Sequence, residues 1–263
     1  MGKTSIEWTR NDDGTQGKTW NPIAGCSVVS PGCTRCYAMR MAARIERMQP
    51  DSHYKGLTKQ VNGNPVWTGK IVRAPDKIFK APLKWRKPTR VFVNSMSDLF
   101  HEDVPDEWID EIFRIMALTP QHTYQVLTKR PERMQKYSGR TLDNVWMGVS
   151  AEDQARADER IPLLLETPAA VRFISAEPLL GPLDLTPYLH GLDQIITGGE
   201  SGPGKRPVAM GWLRDIRDQC QAANVPLFVK QIDKVIPIPA DLMIRQWPRT
   251  GTCQSAAPGL PQA

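Results

Sequence analysis

Residues 90–130, RVFVNSMSDLFHEDVPDEWIDEIFRIMALTPQHTYQVLTKR, hold one complete strand–helix–strand unit. Residues 90–94 form a short β-branched and aromatic run that breaks into the polar tip Ser95, Ser97 and Asp98. Within 106–118, Ile109, Ile112, Phe113 and Met116 recur at helical spacing, and Pro105 with two acidic residues stands where a helix begins. Residues 124–127 read as the next strand, followed by Thr128, Lys129 and Arg130. The same unit recurs along the chain. Strands are predicted at 145–149, 171–174, 194–197 and 226–229, and each also ends in a polar tip. The tips are Ser150 and Glu152; Ser175 and Glu177; Gly198, Gly199, Glu200 and Ser201; and Lys230 and Gln231. Such alternation is the signature of successive β/α units. It predicts an α/β fold, a partial (β/α)6 TIM-type barrel with one further unit around residues 26–36. An open doubly wound sheet is the alternative. The convergence of polar tips favours the barrel, whose sites lie at the C-terminal rim of the strands.

The 263 residues are 40% hydrophobic, enough for one substantial core, and a single domain is expected over 1–248. Residues 236–248, with three prolines and Trp247, read as an extended segment packing on the barrel, and 249–263 as a disordered tail holding Cys253. No apolar run is long enough to span a membrane and the N-terminus is polar, so no membrane association and a cytoplasmic location are expected. The net charge is +6, yet 51–90 alone carries seven Lys and three Arg against Asp51 and Asp76. Tyr54, Trp67, Phe79 and Trp85 are interleaved with these cations. The pattern suits stacked bases and phosphates, or equally a solvated insertion whose aromatics tuck into the barrel wall.

Three of the five cysteines crowd into WNPIAGCSVVSPGCTRCYA, residues 20–38, as Cys26, Cys33 and Cys36. An odd total and this crowding point to a metal site in a reducing compartment rather than to disulfides. A structural zinc site is normally closed by four protein ligands, and neither His53 nor His101 has zinc-finger spacing to these cysteines. A 4Fe-4S cluster on three cysteines keeps one iron open for chemistry. Zinc completed by a distant His or Asp is the competing reading. Residues 37–48 are strongly helix-forming, so the loop runs into a helix N-terminus, whose N–H groups favour the negative charge of ligated thiolates. Cys220 shares a helical stripe with Trp212 and Ile216 and is expected to be buried.

The cysteine loop with Tyr37, together with VNSMSDLF, LTKRPERM, FISAEPLLGPLDL and IITGGESGPGKRP, resembles the phage-associated three-cysteine-motif family over nearly the whole chain. More distantly, the order of these motifs is similar to spore photoproduct lyase, a radical S-adenosylmethionine (SAM) DNA-repair enzyme. The resemblance implies a barrel of the radical SAM kind, with a 4Fe-4S cluster on Cys26, Cys33 and Cys36 and SAM chelated to the open iron. It further implies a 5′-deoxyadenosyl radical that modifies or repairs a nucleic-acid base or nucleotide. An electron donor of the flavodoxin or ferredoxin type, a possible protein partner, and the cytoplasm of a bacterium or phage-infected host complete the picture. In this reading Ser95, Ser97 and Asp98 bind the ribose or methionyl groups of SAM, and Lys129 pairs with a carboxylate or phosphate. Ser150 lies among them, Glu152, Glu177 and Glu200 fix a cationic amine or a base edge, and Lys230 carries charge close to substrate. Gly198, Gly199 and Glu200 look like the triplet that binds the SAM amino group, although here it follows a late strand. The first cysteine gap is six residues rather than the usual three, and Arg35 replaces the usual aromatic, so Tyr37 is expected to supply the aromatic wall. A non-catalytic, zinc-containing nucleic-acid-binding protein is the alternative from another class, and an iron–sulfur protein for sensing or electron transfer is a third.

Overall fold

The structure, a computed structural model, describes residues 4–137 and 141–248. The expected tail at 249–263, with Cys253, lies outside the described residues. In chain order the elements before the first repeat unit are β1 (Lys18–Trp20), β2 (Ile23–Ala24), α1 (Tyr37–Met48), β3 (Thr58–Val61), β4 (Asn64–Trp67), β5 (Val72–Arg73) and α2 (Asp76–Phe79). The repeat units follow as β6 (Arg90–Val93), α3 (Asp106–Ala117), β7 (Thr123–Thr128), α4 (Pro131–Lys136), β8 (Val145–Ser150) and α5 (Gln154–Glu166). The chain continues through β9 (Val171–Ala176), β10 (Gln194–Thr197), α6 (Met210–Ala223) and β11 (Leu227–Val229).

Seven strands form one curled sheet in the order β1-β6-β7-β8-β9-β10-β11, every neighbouring pair parallel. The order never reverses, so the sheet lacks the switch point of a doubly wound fold, and that alternative is excluded. β1 and β11 each have a neighbour on one side only, which leaves a half-barrel. The first strand precedes the cysteine loop, in the place expected for the additional unit.

The period-two alternation of each strand divides the core into two layers. Val91, Val93, Tyr124, Val126, Val145, Met147, Val149, Ile174, Ile195, Leu227 and Val229 face the helices. There they meet Ile109 and Ile112 of α3, Ile161 and Leu164 of α5, and Leu213, Ile216 and Cys220 of α6. Cys220 is thus the buried helix residue its stripe predicts. On the concave side Phe92, Trp146, Phe173, Ile196 and Phe228 form a second cluster, completed by Trp8 and Trp247. Trp247 donates its indole N–H to Trp8 O at 3.0 Å, so both ends of the described chain plug the floor of the half-barrel. The segment 236–248 packs as expected: Val229 N donates to Ile244 O at 3.1 Å and Gln246 N to Leu227 O at 3.0 Å.

Gly148 fixes the depth of this floor. A Cβ there would lie 2.6 Å from three ring carbons of Phe173 on the adjacent strand. Gly148→Ala is therefore expected to destabilise the fold by about 1–3 kcal/mol through overpacking. Adding Phe173→Leu should recover part of that loss in a double-mutant cycle read by urea denaturation. A neutral Gly148→Ala would show that the ring has room to move.

The basic insertion takes the second of its two expected forms, with its aromatics packed into the fold. Asn62 and Gly63, both at positive φ (49° and 74°), make the hairpin turn between β3 and β4. Tyr54 and Trp67 then join Leu57, Ala38, Met39 and Ala42 in a cluster under α1, and Phe79 enters the main core. Trp85 is partly buried beneath Lys18 Nζ, 4.2 Å from its ring. The aromatics thus serve packing and offer no stacking platform. Several cations are also engaged: Arg73 with Asp76 and Glu111, Lys80 with Asp76, Arg90 with Asp12. Exposed Lys84, Arg86 and Lys87 lie just before β6, at the N-terminal end of the sheet, opposite the polar tips.

Candidate active site

The loop from Gly25 to Cys36 crosses the C-terminal rim between β2 and α1. Gly25 N donates to Met96 O at 3.2 Å and forms a bridge with Ser97, which anchors the loop over the tip of β6. Pro31–Cys33 make a 3-10 turn, and Cys36 N donates to Cys33 O at 3.1 Å. These tight turns bring the three thiols within electrostatic reach of one another. Burial, reinforced by Asp98, pushes the Cys26 thiol up to about 12 despite the opposing Arg130, and burial likewise raises Cys36. Such thiols ionise when a cation meets them, which is what metal ligation supplies.

Three carboxylates expected to touch SAM or substrate are tied to this loop, Glu152 directly and Asp98 and Glu200 through arginines. Asp98 accepts from Phe100 N (3.0 Å), Thr128 Oγ1 (2.7 Å), Lys129 N (3.0 Å) and Arg130 Nη1 (3.1 Å). Arg130 in turn donates through Nη2 to Ser27 Oγ at 2.6 Å, and its Nη1 lies 3.9 Å from Cys26 Sγ. Glu152, fully buried, accepts from Gly32 N at 3.0 Å and from Arg160 Nη1 at 3.1 Å. Glu200 accepts from Arg206 N, Nε and Nη2 at 2.8, 3.2 and 2.6 Å, with Arg35 Nη1 at 3.9 Å, and Arg206 Nη1 donates to Pro31 O at 3.1 Å. The carboxylates reach the loop from the tips of β6, β8 and β10.

Other expected contacts are also turned inward. Ser95 Oγ donates to Asn21 Oδ1 (3.1 Å) and Ser97 Oγ to Ile23 O (2.9 Å), so both hydroxyls brace the chain beside β2. Gly198 and Gly199 pack against the backbone after β11, where Gly199 N donates to Gln231 O and Gln231 Nε2 to Gly199 O, each at 3.0 Å. Lys205 of the neighbouring loop pairs with Asp233 at 2.9 Å.

A smaller set lies toward the open bowl. Lys129 is close enough to Cys36 and Glu152 to act on both electrostatically. Ser150 and Ser175 stand opposite each other in register. Glu177 and Lys230 form a 2.6 Å ion pair across the tips of β9 and β11. Tyr37, half-exposed, donates its hydroxyl to Ser95 O at 3.0 Å beside the cysteine loop. Sequence reasoning missed Asn94. It is 3% exposed at φ 58°, and neither atom of its carboxamide has a hydrogen-bond partner. Buried orphan amides and strained backbone concentrate at binding sites; only the Asn identity, tolerant of left-handed φ, hinted at it in the sequence.

Among the described residues, no group of three His, Cys, Asp or Glu side chains gathers around a single ion position. His101 meets the cysteine loop at Ser27, and its ring is occupied: Nδ1 accepts from Asp103 N at 3.1 Å and Nε2 pairs with Ser27 Oγ at 2.9 Å. Three thiols suit either a cluster with one open iron or a zinc ion completed by a fourth ligand.

A family model described as Protein of unknown function (DUF5131) matches residues 3–246. The chain belongs to this family. No curated protein and no solved structure matches it, so the comparisons lend no support to the expected resemblance to radical SAM enzymes and spore photoproduct lyase. For this DUF5131 member, the site geometry has to carry the functional reading. Among the described residues, no helix is long and apolar enough to cross a membrane.

Proposed function

We propose that this DUF5131 protein is a radical SAM enzyme that modifies or repairs a nucleic-acid base or nucleotide. The observation that carries the reading is the cysteine loop itself: three neighbouring thiols at the C-terminal rim of a parallel half-barrel, braced from three strand tips. A 4Fe-4S cluster on Cys26, Cys33 and Cys36 would supply one-electron reductive cleavage of SAM, the source of a 5′-deoxyadenosyl radical. The residues of the chain do the rest. Lys129 and Arg130 bring positive charge to the thiolate side of the bowl. Asn94 offers a donor and an acceptor to a polar ligand at the tip of β6, and the Glu177–Lys230 pair presents both charges at the tips of β9 and β11. The aromatic floor of Phe92, Trp146, Phe173 and Phe228 closes the bowl from below and limits water. The nucleic-acid substrate class draws on the +6 charge, with exposed Lys55, Lys59 and Lys70 around the insertion hairpin.

Purification without oxygen tests this directly. The wild type is expected to be brown, to contain iron and sulfide, and to convert SAM to 5′-deoxyadenosine when reduced. Cys26→Ala, Cys33→Ala and Cys36→Ala together should abolish the colour and the cleavage. Colourless protein with about one zinc per chain, the stoichiometry of a mononuclear site, would transfer the assignment to a zinc-containing nucleic-acid-binding protein. A full cluster that leaves SAM intact would instead indicate sensing or electron transfer.

A further inference from the structure

We infer that Arg130 donates a hydrogen bond to the Cys26 sulfur and thereby raises the reduction potential of the centre that Cys26 helps to hold. The inference rests on the cluster reading and adds to it a residue that sets the redox poise. Arg130 is 8% exposed, and every arm of its guanidinium is assigned. Nε donates to Glu102 Oε2 at 2.7 Å, Nη2 to Ser27 Oγ at 2.6 Å, and Nη1 to Asp98 Oδ2 at 3.1 Å. Nη1 carries two N–H groups, and Cys26 Sγ at 3.9 Å takes the second.

Such a fork leaves Arg130 no alternative orientation. Two carboxylates and a serine of the cysteine loop hold a permanent cation beside one sulfur. Arginine does not deprotonate in proteins, so its charge is constant across the working pH range. Reduction adds one negative charge to a cluster, and a fixed donor and cation at a ligating sulfur stabilise that form more than the oxidised one. Arg130 is a positioning and tuning residue, distant from any reacting bond. Glu102, whose side chain is 62% exposed, is the outer tether of the same guanidinium.

The test is an anaerobic redox titration of the full-length holoprotein, followed by electron paramagnetic resonance. It compares wild type with Arg130→Gln, Arg130→Lys and Glu102→Gln at matched iron content. At the wild-type midpoint, Arg130→Gln is expected to lower the reduced-to-oxidised ratio about tenfold, a shift of about 59 mV for a one-electron couple. Arg130→Lys keeps the charge without the fork and should shift the ratio less, whereas Glu102→Gln removes a carboxylate that offsets the guanidinium while keeping an acceptor for Nε, and should move the ratio the opposite way. If Arg130→Gln does not fold because Asp98 is left unpaired, Arg130→Lys and Glu102→Gln decide the matter. Unchanged midpoints in all folded variants with full clusters overturn the inference and leave the enzyme reading intact. Wild type without an iron–sulfur chromophore overturns both.

Discussion

Glu152→Ala is expected to reduce the free energy of unfolding by about 3–5 kcal/mol, the usual cost of stripping one partner from a buried ion pair. For a chain of this size that is about 6–20 °C in Tm. Glu152 is fully buried and Arg160 is 1% exposed. Without the carboxylate, Arg160 retains Ser150 O at 2.9 Å, while its Nε already lacks a partner. Gly32 N would also lose its acceptor, so the damage reaches the cysteine loop. Glu152→Leu combined with Arg160→Leu should recover much of the loss, because removing both charges leaves none buried and unpaired. Acid should narrow the gap between wild type and Glu152→Ala. Burial raises this carboxyl, but Lys129, Ser30, Arg160 and the Gly32 N–H together outweigh burial and hold it below its ordinary value. A group depressed in the folded state stabilises fully above the ordinary carboxylate range, and that stabilisation disappears as pH falls through the depressed value. Thermal denaturation of the metal-free variants decides the role: an unchanged Tm with impaired SAM binding would return Glu152 to the ligand contacts expected from the sequence.

Much of the fold was legible because each β/α unit repeats the same physical problem. A strand buried on both faces must be apolar throughout, and the polar residues cluster where it ends; residues 145–149 followed by Ser150 and Glu152 are an example. The direction in which each tip points was not legible. Asp98, Glu152 and Glu200 look alike in sequence, as acids just after strands, and all three brace the cysteine loop. Arg206 follows Glu200 in the same loop and Arg130 comes from the strand tip next to Asp98, whereas Gly32 meets Glu152 only where the cysteine loop crosses the rim. Composition left two readings open at 51–90 for a related reason. Tyr54, Trp67 and Phe79 sit among lysines in the chain, yet hairpin and helical turns alternate sides so quickly that the aromatics enter cores while the lysines remain outside. The half-barrel's sequential strand order was within reach of periodicity; the orphan amide of Asn94 was not, because it depends on a backbone angle at one residue.

Asp98→Ala should be as damaging as the loss of Glu152, about 3–5 kcal/mol, with a distinctive pattern among conservative variants. Oδ1 of Asp98 serves Phe100 N and Thr128 Oγ1, and Oδ2 serves Lys129 N and Arg130 Nη1. All four partners donate. Asp98→Asn substitutes an NH2 for one of these oxygens and sets donor against donor whichever way the amide turns, besides leaving Arg130 without that charge. The asparagine is therefore expected to cost nearly as much as alanine. Thr128→Val removes one hydroxyl partner and should cost about 1 kcal/mol. Glu102→Gln, at a mostly exposed position, should fall below that. Urea denaturation of the metal-free proteins gives the ranking. Asp98→Asn with near wild-type stability would mean that the carboxylate is not what holds the Lys129–Arg130 turn. Asn equal to Ala, with Thr128→Val mild, would show that the strand-tip carboxylate acts as a four-way acceptor whose purpose is to aim Arg130 at the cysteine loop.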